Sequence, residues 1–170
     1  PVWRKDIAWF LDKYIHWATY TPEDDAVVIA YASVYGGTEN AANILACRLR
    51  EQGVQVEMFD TSVTPASYIL AAAFRFSHVV LAAPTYNGGV FVTMENLLHD
   101  LTAHGLKGRR AAYIENGSWA PTSARGMQKL LEPLNWETAA DTVTLRSALR
   151  QGQQEDLERM AMQLAESVKA

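Results

Sequence analysis

The feature that most constrains this chain is a repeated alternation of short apolar runs with segments of helical periodicity. Three runs are continuously apolar or nearly so: Ala26–Tyr31, Val79–Ala83 and Arg110–Ile114. Strands buried on both faces of a parallel sheet read this way. Two others, Val54–Phe59 and Asp141–Leu145, alternate polar with apolar and read as edge strands. Between them, helical spacing covers about 38–52, 65–74, 91–104, 122–132 and 153–169. In the last of these, Leu157, Met160, Ala161, Leu164 and Val168 share one face, as an amphipathic helix requires. Strand and helix in strict alternation predict an α/β fold, a doubly wound five-stranded parallel sheet with helices on both faces. With the second and fifth strands at the edges, the expected order is 2-1-3-4-5. Ahead of the first strand, Ile7, Phe10, Leu11, Tyr14 and Ala18 recur at helical spacing, and Thr21–Asp25 then makes a polar break. The organisation expected is therefore an N-terminal helix and linker over 1–25, followed by the sheet domain over 26–170.

Size and composition narrow the function classes. At 170 residues the chain suits one domain, large enough to build a core without a staple. Its single cysteine, Cys47, excludes an internal disulfide and a thiolate zinc site. Its position beside Ile44 and Leu45 in a predicted helix assigns it a buried apolar role. The net charge of −4 argues against a nucleic-acid surface. No stretch is long enough or apolar enough to span a membrane and no signal peptide opens the chain, so a cytoplasmic protein is expected. The sequence does not begin with methionine, so a fragment or a processed product is expected. His16, His78, His99 and His104 are scattered, so no metal site is expected. Trp3, Trp9 and Trp17 read as packing residues of the N-terminal helix, against the sheet or against a further domain.

Ligands of a doubly wound sheet bind beyond the carboxyl ends of the strands, where the strand order reverses. The loop after the first strand, Ser33-Val34-Tyr35-Gly36-Gly37-Thr38, opens a helix. Its glycines admit close backbone approach, and its hydroxyls and helix-start amides suit an anion, so it reads as a phosphate cradle. It lacks the Lys of a Walker loop and the G-x-G-x-x-G spacing of a dinucleotide site. A phosphoacceptor domain of the same strand order needs acids where Ser33 and Pro84 stand. The second loop, Pro84-Thr85-Tyr86-Asn87-Gly88-Gly89-Val90-Phe91, offers a ring face, an amide and exposed backbone donors to a flat heteroaromatic ligand. The third, Glu115-Asn116-Gly117-Ser118-Trp119-Ala120-Pro121, brings Trp119 to bracket the same ring with Tyr86.

Together with Gly105-Leu106-Lys107-Gly108-Arg109, these loops resemble the flavodoxin-like domain of the A-type flavoproteins, the flavodiiron proteins, over nearly the whole chain. Pro1-Val2-Trp3-Arg4 resembles the junction after that family's N-terminal diiron domain of metallo-β-lactamase type. The resemblance implies a flavodoxin-like fold that binds FMN noncovalently. Its phosphate would lie at Ser33, Val34, Tyr35, Gly36, Gly37 and Thr38. Its isoalloxazine would lie between Pro84, Thr85, Tyr86, Asn87, Gly88 and Gly89 on one side and Ser118 and Trp119 on the other. The implied function is an electron relay to a diiron centre, outside this chain, that reduces oxygen or nitric oxide. No residue of the chain acts as nucleophile or general acid in that reading. Rubredoxin or a reductase would donate the electrons, and a homodimer is implied. Two departures stand out: Gly37, where the family commonly has Asn, and Val92-Thr93, where it has prolines. The first is expected to weaken phosphate ordering. Two other readings remain open: a free-standing FMN-dependent NAD(P)H:quinone reductase, and a flavin-free docking module.

Overall fold

In the computed structural model, which describes residues 2–170, the continuously apolar runs lie side by side in the middle of one sheet. The elements in chain order are α1 (Ile7–Thr19), β1 (Asp24–Tyr31), α2 (Gly37–Glu51), β2 (Val56–Asp60), α3 (Ala66–Arg75), β3 (Phe76–Tyr86) and β4 (Gly89–Val90). They continue with α4 (Val92–Ala103), β5 (Arg110–Asn116), α5 (Ser123–Leu131), a 3-10 turn (Glu132–Leu134), β6 (Glu137–Thr138), β7 (Val143–Leu145) and α6 (Gln151–Lys169). The order is β2-β1-β3-β5-β6, parallel throughout, with β7 also on β5 and β4 antiparallel to β3. This is the expected 2-1-3-4-5 arrangement with its fifth strand in two pieces.

The break in that strand has a local cause. β6 pairs with Arg110 and Ala111, and β7 pairs with Ile114–Asn116. Between them the Asp141 amide donates to Gln163 Oε1 of α6 instead of to the sheet, and Ala140 is buried in the core on the α6 side. Strand periodicity divides the core. Ala26, Val28, Ala30, Val79, Leu81, Ala83, Ala111 and Tyr113 pack under α3, α4 and α5, whereas Val27, Ile29, Val80, Ala82, Ala112 and Ile114 pack under α2 and α6.

No side chain of α1 is buried. Ile7, Trp9, Leu11 and Tyr14 are exposed, and Trp3 stacks on Phe10 with ring centroids 4.9 Å apart. Trp3 and Trp9 therefore do not pack on the sheet; Pro1, the first residue of the resembling junction, lies outside the described residues. Polar contacts fasten the helix instead. Glu23 accepts from Lys13 and from Trp17 Nε1, and although burial pushes its carboxyl up, these two bonds hold it below the ordinary range. Cys47 is exposed on α2, contrary to its expected burial, because the buried stripe runs through Ala42, Leu45, Ala46 and Leu49.

Arg109 ties α1 to the body. Its buried guanidinium donates to the carbonyls of Ala73 (2.7 Å), Phe74, Tyr20 (2.6 Å), Lys107 (3.0 Å) and Gly108 (3.2 Å). Ala73 and Phe74 stand in the last turn of α3, where carbonyls are free and the helix dipole is negative. Burial pushes the Arg109 pKa down to about 10, which leaves it charged at neutral pH. Among the described residues, no helix is long and apolar enough to cross a membrane.

Candidate functional site

The chain leaves β1 for β2 on one side and then crosses to β3 on the other, so the strand order reverses between β1 and β3. A crevice opens there beyond the strand ends. The loops after β1, β3, β5 and β7 converge on a cavity of about 460 Å³, and no charged side chain lines it among the described residues. Recesses of about 510 and 730 Å³ lie elsewhere, beside α6 and beside α5, away from the crevice between β1 and β3.

At one end of the cavity, Ser33 Oγ accepts the Gly36 amide at 3.1 Å and folds the loop into α2. Gly36 has φ of 81°, a left-handed conformation that glycine takes without strain. The amides of Gly37, Thr38 and Glu39 fall in the first turn of α2 and have no helical acceptor. Thr38 is 2% exposed, yet it lines the cavity. The helix dipole and these amides favour an anion at this end without any basic side chain.

Around the second loop, β3 turns into β4 through Asn87 and Gly88, with φ of 49° and 75°. Two successive positive values make the tight hairpin turn whose twist matches its strands. The pairing of Thr85 with Val90 and Tyr86 with Gly89 closes the hairpin. The half-exposed Tyr86 ring meets Phe91 edge-on, with centroids 5.7 Å apart. Thr85 Oγ1 accepts the amides of Thr122 (2.9 Å) and Ser123 (3.1 Å), so its hydroxyl caps α5 from outside. The next amide of α5, Ala124, donates to Glu115 Oε2, which completes the cap.

Asn116 joins the third loop to the first. Its Oδ1 accepts the Ser147 amide at 2.9 Å, and its Nδ2 donates to the Ser147 carbonyl at 2.9 Å and to Thr38 Oγ1 at 3.3 Å. Ser147, with φ of 68°, also shares a hydroxyl bond of 2.9 Å with Ser118. A Cβ on Gly37 would fall 2.4 Å from the Ser147 carbonyl oxygen and 3.2 Å from Asn116 Nδ2. Gly37 thus leaves the space into which the 146–148 segment fits.

Of the residues singled out in the sequence, Ser33, Val34, Tyr35, Gly37, Thr38, Pro84, Thr85, Tyr86 and Ser118 line the cavity together. Gly36, Asn87, Gly88, Gly89 and Trp119 stand around it without lining it. Tyr35 and Trp119 are 98% and 92% exposed. Phe91, Asn116, Gly117, Ser147 and Ala148 complete the lining. Phe91, Asn116 and Gly117 sit inside loops whose glycines and aromatics already marked them. Nothing local marks Ser147 and Ala148, which the pairing of β7 with β5 carries to the site.

The sequence profile of the Flavodoxin domain family matches residues 28–170. A rubredoxin-oxygen oxidoreductase of Megalodesulfovibrio gigas is 23% identical over 160 residues, covering 94% of this chain and 40% of the relative. The solved rubredoxin oxygen:oxidoreductase from Desulfovibrio gigas superposes with a TM-score of 0.89 at 22% identity, over 96% of this chain and 40% of that one. The flavodiiron protein from Giardia intestinalis gives 0.87 at 18% identity, over 98% and 42%. The chain thus spans about two fifths of the length of these relatives.

Proposed function

Because this chain belongs to the flavodoxin-domain family, we propose that the cavity at the ends of β1, β3 and β5 holds FMN noncovalently and that the chain serves as an electron relay. The observation that carries this reading is a single cavity with two chemically different ends. At one end, the uncommitted α2 amides and the buried Thr38 hydroxyl suit a terminal monophosphate. At the other, Tyr86 and Phe91 border a space framed by backbone, suited to a flat ring. The donor set fits the group: neutral donors face an anion, and aromatics face a ring system. FMN supplies one- and two-electron transfer when bound.

The chain's own residues do the rest. Ser33 shapes the phosphate turn through the Gly36 amide. The positive-φ pair Asn87-Gly88 closes the hairpin that carries Tyr86. Ser118 lines the same cavity as Tyr86. In this reading Trp119 would close over the ring's second face, and its exposure in the free chain leaves it available to a docking partner. The FMN domain is then 26–170, and the helix and linker expected over 1–25 run into the first residues of β1, Asp24 and Asp25. The electrons pass to a diiron oxygen or nitric oxide reductase centre in a metallo-β-lactamase-like domain outside this chain. The bare apolar side of α1 supports a seat for such a domain. Rubredoxin or a reductase in the cytoplasm would supply the electrons, and the working form would be a homodimer.

Titration of the apo chain with FMN and FAD tests the first half. FMN should bind the more tightly, because a cradle closed on a monophosphate leaves no path for an adenylate; equal affinities would remove the monophosphate argument. The relay half is tested by giving the same chemical reductant to this chain and to a longer one containing the upstream region. Fast, iron-dependent gas consumption should appear only in the longer chain. Rapid turnover by the 170 residues alone, or their stoichiometric reduction by NADH without a partner, would overturn it.

A further inference from the structure

We propose that Asn116 is a positioning residue that fixes the direction of the Thr38 hydroxyl, making it a hydrogen-bond donor into the cavity and so setting a preference for an acceptor-only end group. The inference rests on the reading of the α2 end as the phosphate site. The backbone N–H of Ser147 can only donate. It donates to Asn116 at 2.9 Å, so the carboxamide oxygen must face it and the amide cannot be flipped. Nδ2 then faces both the Ser147 carbonyl and Thr38 Oγ1, and its two hydrogens are spent on them.

Thr38 therefore accepts from Asn116 and keeps one hydrogen for which no acceptor is present among the described residues. Thr38 is almost fully enclosed and still lines the cavity, so this hydrogen is directed at whatever occupies that end. A phosphate dianion carries only acceptors and takes such a donor fully. The terminal hydroxyl of riboflavin is both donor and acceptor and gains less from a donor already oriented. Asn116 shares the cavity lining, but both Nδ2 hydrogens and Oδ1 are engaged by Thr38 and Ser147, so it acts on the ligand through Thr38. The glycine at 37 is part of the same device, since only there can the Ser147 carbonyl come close enough to lock the amide.

The test is a double-mutant cycle on the apo chain, with FMN and riboflavin as probes and the ratio of their affinities as the readout. Thr38→Val should lower the FMN preference about tenfold, the loss expected for a hydrogen bond to a charged group. Asn116→Ala should lower it at least threefold, and in the Thr38→Val background it should lower it no further. A residue that merely holds the 146–148 segment would instead weaken both probes alike and leave the ratio unchanged. That result, or full additivity of the two substitutions, overturns the proposal. If Asn116→Ala does not fold, Asn116→Asp serves: its carboxylate still accepts from the Ser147 amide but captures the Thr38 hydrogen, and the FMN preference should again fall. An unchanged ratio in that variant also overturns the proposal. The wild-type arm separates the two levels of inference. Binding of neither probe, or of both equally, defeats the phosphate reading and this proposal with it, whereas a clear FMN preference indifferent to Asn116 defeats this proposal alone.

Discussion

Replacing Gly37 by asparagine, the residue common at this place in the resembling family, sets the sequence expectation against the structure. From sequence, the glycine weakens phosphate ordering and asparagine should restore it. The structure predicts the opposite. A Cβ at position 37 would sit 2.4 Å from the Ser147 carbonyl oxygen, and ordinary contact begins at 3.4 Å, so the carbonyl must withdraw by about 1 Å (3.4 − 2.4). The obstacle is backbone, and no side-chain rotation relieves it. Withdrawal breaks the paired bonds between Asn116 and Ser147, at about 1 kcal/mol each. It also leaves the buried Asn116 carboxamide with Thr38 as its remaining partner and its Oδ1 unsatisfied, at about 1–3 kcal/mol. With partial relaxation the sum is about 2–4 kcal/mol, equivalent to roughly 5–15 °C in Tm for a domain of this size. Thermal unfolding of the apo chain reads the first effect, and FMN titration should show weaker binding in parallel. Gly36→Ala is the control: nothing lies within 4 Å of its Cβ, so only the strain of a positive φ remains, roughly 1–2 kcal/mol. A Gly37→Asn variant that melts within about 2 °C of the wild type and binds FMN as tightly would refute the reasoning.

Arg109→Met should cost about 3–5 kcal/mol, because the buried carbonyls it served are left without donors; a urea midpoint shift worth less than about 1 kcal/mol would contradict the clasp. His78 lies buried between the hydroxyls of Ser77 (2.8 Å) and Ser167 (2.9 Å), with Arg110 and Asp25 as its charged neighbours. Burial first, and Arg110 second, push its pKa from 6.5 down to about 4. Between those values the unfolded chain binds a proton that the native chain does not, so stability rises with pH across the window and is lost as pH falls through it, on the order of 2–3 kcal/mol. His78→Gln should flatten this part of the acid profile, and equal slopes in variant and wild type would remove His78 as the cause. Tyr86→Leu should loosen FMN severalfold and raise the fluorescence of bound flavin, as loss of a ring contact worth about 0.5–1.5 kcal/mol implies. Trp119→Leu in the free chain should do less, because that ring stands in solvent; a larger effect from Trp119 would mean that it folds inward over the ligand.

The central strands were legible because burial on both faces leaves a continuous apolar run, and the strand order followed from which runs alternate. The split of the fifth strand was not legible, because it depends on Gln163, on another element, taking the Asp141 amide. Cys47 was misplaced because apolar neighbours in sequence say little about angle around a helix: Leu45 and Ala46 face inward while Cys47 faces solvent. The site divides in the same way. Its first two loops carry glycine and hydroxyl signatures in contiguous residues. Its last wall, Ser147 and Ala148, is a matter of tertiary register and of a serine held at positive φ, for which no local pattern exists. Asn116 lies inside the third loop's motif, but its role depends on which donor faces which acceptor, and only the tertiary fold decides that.

The broken fifth strand also bears on solubility. A sheet edge exposes a row of unpaired amides and carbonyls that can template a foreign strand. Here the edge is cut into pieces of two and three residues, each too short to align an incoming chain. At the gap and beside it, side chains of α6 occupy the groups that such a chain would need. Gln163 binds both the amide and the carboxylate of Asp141, and Gln153 donates to the Thr144 carbonyl at 3.1 Å. Two glutamines on one helix thereby shield this edge of an otherwise strongly apolar sheet from self-association, and they do so without a proline or a lysine in either strand.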